Sequence, residues 1–348
     1  MTGTAERPSS HFGFGAPVLE EALLVEHRAD SGWGAPEFLP RRAGDVPMAS
    51  AAVQYGLSCF EGLKAFRGPD GSVHLFRADR HGERLAQSCA RLCLPVLPPA
   101  EFVAHASAFV RRNAHHVPPH GQGALYVRPT IAAVEEYLGV RPARRHVFAL
   151  LATPVPRPAS RPMALWIERE YVRAAPGGIG AAKTGGNYAA GLLGAERARQ
   201  RGFDQVVWLD AVQRRFVAEA GVMNLFVVLG DEVATPPLDG TILAGVTRDC
   251  CLTLMREWKM APSERAVALD ELVSAQRRGE LREAFGTGTA ACVVRIERMV
   301  GDGEELVPTG GDLAARLRDA IEAIQEGRAA DPFGWRQTVA DARSVPRT

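Results

Sequence analysis

The chain has 348 residues, 46% hydrophobic and 23% charged, with a formal net charge of +1. That balance fits a soluble globular protein of roughly two domains and offers no basic face for nucleic acid or an anionic membrane. No apolar run reaches membrane-spanning length, and residues 1–10 are polar and lack a signal-peptide core.

The six cysteines are Cys59, Cys89, Cys93, Cys250, Cys251 and Cys292. They form neither a Cys-x-x-Cys pair nor a disulfide framework, so a reducing cytoplasm is the expected location. His115, His116 and His120 are interrupted by Pro118 and Pro119. They read as a solvated loop, and no metal is expected.

In chain order, Leu63–Arg67 and residues 73–77 read as strands around a Gly-Pro-Asp-Gly hairpin turn at 68–71. Helices follow at about 79–94, stopped by Pro95, and at about 99–116, with Phe102, Ala106, Phe109 and Val110 on one face. Residues 125–128 and 146–153 read as buried strands. Four prolines in residues 154–162 predict a linker that continues no strand or helix. It divides the chain into 1–153, 154–162 and 163–348. In the last part, Met163–Glu168, Gln205–Leu209 and Met223–Leu229 read as strands, and 187–201, 247–259 and 312–326 as helices. The tail beyond Ala330 is polar and reads as loosely held.

Lysine and arginine total 41, yet only Lys64, Lys183 and Lys259 are lysine. A lysine amine can lose its proton and attack a carbonyl, whereas arginine stays protonated. Lys183 sits between Gly177-Gly178-Ile179-Gly180 and Gly185-Gly186-Asn187-Tyr188. It is either the anchor of an aldehyde cofactor or an ordinary surface lysine. Glu219 precedes an apolar strand, where a carboxylate needs a cation. A protonated ring nitrogen would serve, and so would one of the many arginines. Gly245-Val246-Thr247-Arg248 opens a helix, with free N–H groups suited to a phosphate or with Thr247 as a simple cap. Residues 286–291 form a second turn able to point N–H groups at an anion. Lys64 is as rare as Lys183 and is given no chemical role.

These segments resemble the branched-chain amino-acid aminotransferases, members of the fold-type IV group of pyridoxal-phosphate enzymes. The resemblance runs from about Tyr55 to Trp335. It rests on YGLSCFEGLKAF at 55–66, RLCLP at 91–95, LYVRP at 125–129, KTGGNY at 183–188, EAGVMN at 219–224, GVTR at 245–248 and GTA at 288–290.

The resemblance implies an α/β (α+β) fold. A small N-terminal α/β domain and a larger C-terminal domain with a β-barrel-like core would hold the cofactor at their interface. It implies pyridoxal 5′-phosphate on Lys183, with Tyr188 at the ring hydroxyl and Glu219 at the ring nitrogen. Arg84, Val246, Thr247 and Thr289 would hold the phosphate. Tyr126, Thr289 and Ala290 would meet the substrate carboxylate, with Tyr55, Phe60 and Arg128 around the side chain. Taken singly, Tyr55, Phe60 and Tyr126 also fit plain core packing.

The implied reaction moves an amino group between leucine, isoleucine or valine and 2-oxoglutarate, in a homodimer whose neighbouring subunit helps close the site. Departures from the family pattern are Val222, a linker without an aromatic residue, the sequence after Thr289, and the lack of a redox cysteine pair. They motivate a second reading, a specialised aminotransferase for an unusual amino or keto acid. A third is a non-catalytic binding protein on the same fold. Arg157, at the linker, stands where it could charge the pocket mouth.

Overall fold

The computed structural model describes residues 17–158 and 161–341. Residues 1–10 of the sequence reading, and Ala159 and Ser160 of the linker, lie outside them.

Two sheets organise the chain. The first, antiparallel at each pairing, runs Arg336–Ala340, Val73–Phe76, Leu63–Arg67, Gly123–Ala133, Arg145–Pro156, Glu21–Arg28, Gly32–Trp33, side by side in that order. Glu37–Pro40 adds to Glu21–Arg28, and Ser58–Phe60 adds to Gly123–Ala133. Glu21–Arg28 shows why such segments form strands. Leu23 and Val25 are buried on one side, while Glu26 on the other is exposed. Helix Pro99–Arg112 opens on Pro99, whose missing N–H costs nothing at a first helical position. It lays Phe102 and Phe109, both fully buried, into the core under the first sheet.

The second sheet is mixed and closes on itself. Met163–Glu168, Gln205–Leu209, Val217–Ala220, Met223–Leu229, Leu281–Gly288 and Cys292–Val300 each pair with two neighbours, making a six-stranded barrel. Its interior is filled by side chains such as Leu165, Val207, Leu225 and Ile296. Helices Val246–Glu257 and Leu313–Gln325 pack on its outside, the latter through Leu313, Leu317, Ile321 and Ile324.

The hairpin at 68–71 and each helix expected from sequence are present, with ends displaced by a few residues. Helix Leu269–Arg277 and strand Glu21–Arg28 add to them.

Two expectations are corrected. Strand Arg145–Pro156 continues into the proline segment read as linker, pairing Pro154 with Leu125 and Pro156 with Gly123. Its other neighbour, Glu21–Arg28, reaches only Leu150. The missing proline N–H groups therefore fall where the strand has one partner, the edge position at which proline is tolerated.

The tail after Ala330 is also held. Trp335 is buried, and Arg336–Ala340 pairs antiparallel with Val73–Phe76. Residues 336–340, RQTVA, carry no alternation of apolar and polar residues that would mark them as a strand.

Candidate active site

The lysine loop, residues 169–184, descends from strand Met163–Glu168 and delivers Lys183 to the start of helix Gly185–Gln200. Both backbone polar groups of Lys183 are tied to the first half of the chain. Its N–H donates to Ser88 Oγ at 2.9 Å, and its carbonyl accepts from Phe60 N–H at 2.9 Å. The side chain is thereby aimed into a cavity of about 160 Å³.

That cavity is lined by Phe60, Arg84, Tyr126, Arg128, Tyr188, Glu219, Val246, Thr247, Thr289 and Ala290 beside Lys183. These are the sequence-predicted residues, with one exception. Tyr55 is not among the lining residues. It is 48% exposed, and its hydroxyl donates to the Leu138 carbonyl. It does not reach the cavity of its own chain.

Lys183 Nζ lies 2.8 Å from the Tyr188 hydroxyl. Burial, followed by the Arg84 guanidinium, pulls the lysine amine down to about 8. Burial likewise pushes the Tyr188 phenol up to about 12, so it stays protonated. About a tenth of the amine is therefore uncharged at pH 7, far more than for an ordinary lysine, and that is the form that attacks a carbonyl.

Glu219 is buried, and burial pushes its carboxyl up to about 7 against the lowering influence of Arg173. The arginine alternative of the sequence reading is thus realised: Arg173 Nε meets Glu219 Oε2 at 2.6 Å. The other oxygen accepts from Asn224 Nδ2 at 3.1 Å.

Arg84 comes from helix Ala78–Arg91. Its Nε and Nη2 grip the buried Glu61 carboxylate at 2.6 and 2.9 Å, and Nη1 donates to Ala244 O at 2.9 Å. His81 adds a contact to Glu61 at 2.8 Å. Burial opposes ionisation of Glu61, but Arg84 and His81 outweigh it and hold the carboxyl well below its ordinary range. Nη1 keeps a second N–H for an anion. Helix Val246–Glu257 begins beside it, with Gly245 as N-cap and no side-chain cap. Thr247 therefore lies inside the helix rather than capping it, and the free N–H groups of the first turn open on the cavity.

On the opposite wall, Tyr126 and Arg128 rise from strand Gly123–Ala133, with Arg128 Nη2 donating to the Tyr126 hydroxyl at 2.8 Å. Gly62 is required here, because a Cβ would stand 1.9 Å from that hydroxyl. Arg128 stacks over Phe60 at 4.8 Å, forms no ion pair among the described residues, and has a buried Nε with no partner. The Thr289–Ala290 turn joins strands Leu281–Gly288 and Cys292–Val300. It is braced from below by Lys64, whose Nζ donates to Ala290 O at 2.8 Å. Burial pulls the Lys64 amine down to about 8.

Sequence reasoning gave no role to Glu61, His81, Arg173 or Thr287. Glu61 and Thr287 lie inside segments already quoted, whereas Arg173 carries no motif signal. Thr287 lines the cavity with a buried hydroxyl that has no partner. Val222 is half exposed and lines the same wall. Arg157 points away, onto Glu322 and Glu326 of helix Leu313–Gln325 and its C-terminal end. A larger cavity of about 440 Å³ lies on the outer face of the first sheet; both of its arginines, Arg28 and Arg145, are paired with Glu26. Among the described residues no cluster of His, Cys, Asp or Glu could hold a metal ion, and no helix is long and apolar enough to cross a membrane.

Residues 58–299 match the family model of the amino-transferases of class IV. The chain belongs to the class IV aminotransferase family. Within it, the chain is 40% identical to a probable branched-chain-amino-acid aminotransferase of Streptomyces coelicolor, over 94% of this chain and 92% of that one. It is 38% identical to branched-chain-amino-acid transaminase 1 of Bacillus subtilis, over 95% of each. The solved branched-chain amino acid aminotransferase of T.th., complexed with N-(5′-phosphopyridoxyl)-L-glutamate, superposes with a TM-score of 0.75 at 26% identity, covering 92% of this chain and 99% of that one.

The donor set fits the pyridoxal phosphate of class IV aminotransferases. An amine and a phenol stand together, a carboxylate lies in the same wall, and a guanidinium adjoins an uncapped helix start.

Proposed function

We propose that this protein is a pyridoxal-phosphate-dependent transaminase that exchanges amino groups between branched-chain amino acids and 2-oxoglutarate. The observation that carries this reading is one cavity uniting the Lys183 amine, the Tyr188 phenol 2.8 Å away, the Glu219 carboxylate and the Arg128 cation. Pyridoxal phosphate, when bound, supplies an aldehyde carbon and a ring that takes up the electrons left by the departing substrate proton.

The chain's own groups do the rest. Lys183 Nζ would anchor the cofactor and, once displaced by the amino substrate, would take the proton from the substrate α-carbon and pass it to the cofactor's former aldehyde carbon. Tyr188 holds that amine in place and meets the ring hydroxyl. Glu219 holds the ring nitrogen. Arg84 and the Val246–Thr247 N–H groups, with Thr289, take the phosphate dianion. Tyr126 and the Thr289–Ala290 turn receive the α-carboxylate.

Phe60 supplies apolar wall for a branched side chain. Arg128 supplies charge for the second carboxylate of glutamate or 2-oxoglutarate, so one pocket accepts both partners. Tyr55, exposed beside Leu138 and Val140, would close the site of a second copy, and we take the working form as a cytoplasmic homodimer. We retain a division into 1–153 and 163–348, with strand Arg336–Ala340 returning to the first part.

The test is spectroscopic and kinetic. The purified protein is expected to be yellow, with visible absorbance that sodium borohydride bleaches, and Lys183→Ala is expected to lose both colour and turnover. A panel of keto acids with glutamate as donor then decides the substrate. Negligible turnover of 4-methyl-2-oxopentanoate beside good turnover of another acceptor would replace the branched-chain reading with the specialised one.

A further inference from the structure

Arg173 lies in the loop that carries Lys183, ten residues before it. Its guanidinium joins three segments. Nε meets Glu219 Oε2 at 2.6 Å, while Nη2 donates to Gly180 O at 3.1 Å and also to Thr241 O. The junction is tight. A Cβ on Gly180 would stand 2.4 Å from the Thr241 carbonyl, so only glycine admits this approach. The side chains of Arg173 and Glu219 are 12% and 4% exposed, which leaves their charges little screened by water.

The strongest side-chain and backbone influences on Glu219 are donors and cations. Asn224 Nδ2 and the Leu243 N–H donate to it, the Tyr188 phenol stands beside it, and Lys183 and Arg84 are the further cations that act on it. Of the two cations the sequence allowed here, a ring nitrogen or an arginine, the chain itself supplies the second.

We propose that Arg173 is a positioning residue that keeps Glu219 ionised and aimed into the cavity, and that locks the carboxylate strand to the lysine loop. This rests on the reading of Glu219 as the partner of the cofactor ring nitrogen. Burial raises the Glu219 carboxyl and Arg173 is the largest influence holding it down, the balance standing at about 7. Without that guanidinium the carboxyl would be protonated at neutral pH. A protonated carboxyl donates where an ionised one accepts, and it holds a protonated ring nitrogen poorly.

The test uses the full chain, stripped of cofactor and then given pyridoxal phosphate, as wild type, Arg173→Gln, Arg173→Lys and Glu219→Gln. Far-UV circular dichroism checks folding. The infrared C=O band of the buried carboxylic acid is followed against pH, and its loss in Glu219→Gln assigns it. Arg173→Gln is expected to raise the midpoint of that band by about one pH unit or more and to raise the pyridoxal phosphate Kd about tenfold. Arg173→Lys keeps the charge and is expected to keep the wild-type midpoint.

An Arg173→Gln protein that titrates and binds like wild type would overturn the proposal. So would a folded Arg173→Lys protein whose midpoint rises by a full unit, and this arm decides the matter if Arg173→Gln fails to fold. If Glu219→Gln binds pyridoxal phosphate as tightly as wild type, it is the ring-nitrogen reading itself that fails, whatever Arg173 does.

Discussion

The backbone N–H of Phe60 donates to the carbonyl of Lys183 at 2.9 Å. This bond joins the first sheet to the lysine loop, and its companion from Lys183 N–H to Ser88 Oγ joins the same loop to helix Ala78–Arg91. The amine is therefore placed by contacts from the other half of the chain, not by its own loop.

Ser88→Ala removes the acceptor of the Lys183 N–H and leaves a buried donor unmet. The expected cost is about 1–3 kcal/mol in stability. Chemical denaturation measures it, and a fall in kcat larger than any rise in KM would show that the amine has lost its placement.

Tyr188→Phe deletes the hydroxyl 2.8 Å from Lys183 Nζ. A hydrogen bond to a charged group contributes about 1.5–3 kcal/mol, so kcat/KM should fall roughly 10- to 100-fold. Steady-state kinetics with leucine and 2-oxoglutarate reads this directly.

The rate of pyridoxal phosphate uptake by the stripped protein should depend on pH through Lys183. Burial lowers that amine to about 8, and only its neutral form attacks the aldehyde. Uptake is expected to rise with pH through about 8 and then level off, as followed by the growth of visible absorbance. A midpoint near the ordinary lysine value would show that the amine is not held in the buried position.

Tyr55 lies outside its own cavity, so its service to a partner can be tested by mixing. Neither Lys183→Ala nor Tyr55→Ala homodimers should be fully active. Hybrid dimers formed by co-expression should regain one intact site, because one protomer supplies Lys183 and the other Tyr55. No gain in the isolated hybrid would show that Tyr55 does not act across an interface.

Acid should loosen the first sheet at His146. This ring is buried against His27 at 5.5 Å, and both its nitrogens lack partners. Burial, then His27, pulls it from 6.5 down to about 4. A histidine with a depressed folded value contributes its stability above the unfolded value, and that contribution is lost as pH falls from about 6.5 toward 4. At pH 5 the loss is at most about 2 kcal/mol, less whatever water screens. His146→Leu should flatten the fall in Tm between pH 7 and pH 5.

The site was legible where local signals were strong. Lys183 and Tyr188 lie five residues apart, at the start of helix Gly185–Gln200. Glu219 was legible as a buried carboxylate in need of a cation, with an arginine as one candidate, but which arginine was not legible. Its partner Arg173 belongs to an irregular loop and is one arginine among many of like appearance (the chain has 41 basic residues, three of them lysine). Tyr55 sits in a matching motif, yet no periodicity says which chain's cavity it serves. Prolines 154 and 156 broke a strand in the sequence reading because the early end of Glu21–Arg28, which frees that edge, is a tertiary fact. Glu61 was hidden for the opposite reason: its burial depends on His81 and Arg84 arriving together from one face of helix Ala78–Arg91.

Strand Val73–Phe76 lies between Leu63–Arg67 and Arg336–Ala340, with Trp335 set edge-on against Phe76. During synthesis its outer edge must stay open until more than 250 further residues have emerged, the separation between Phe76 and Arg336. An unpaired edge is a template for aggregation, and a contact of such long range forms slowly. The last strand thus acts as a seal applied late. A nascent chain stalled before it would carry nearly every catalytic group and still be prone to stick to its neighbours on the ribosome.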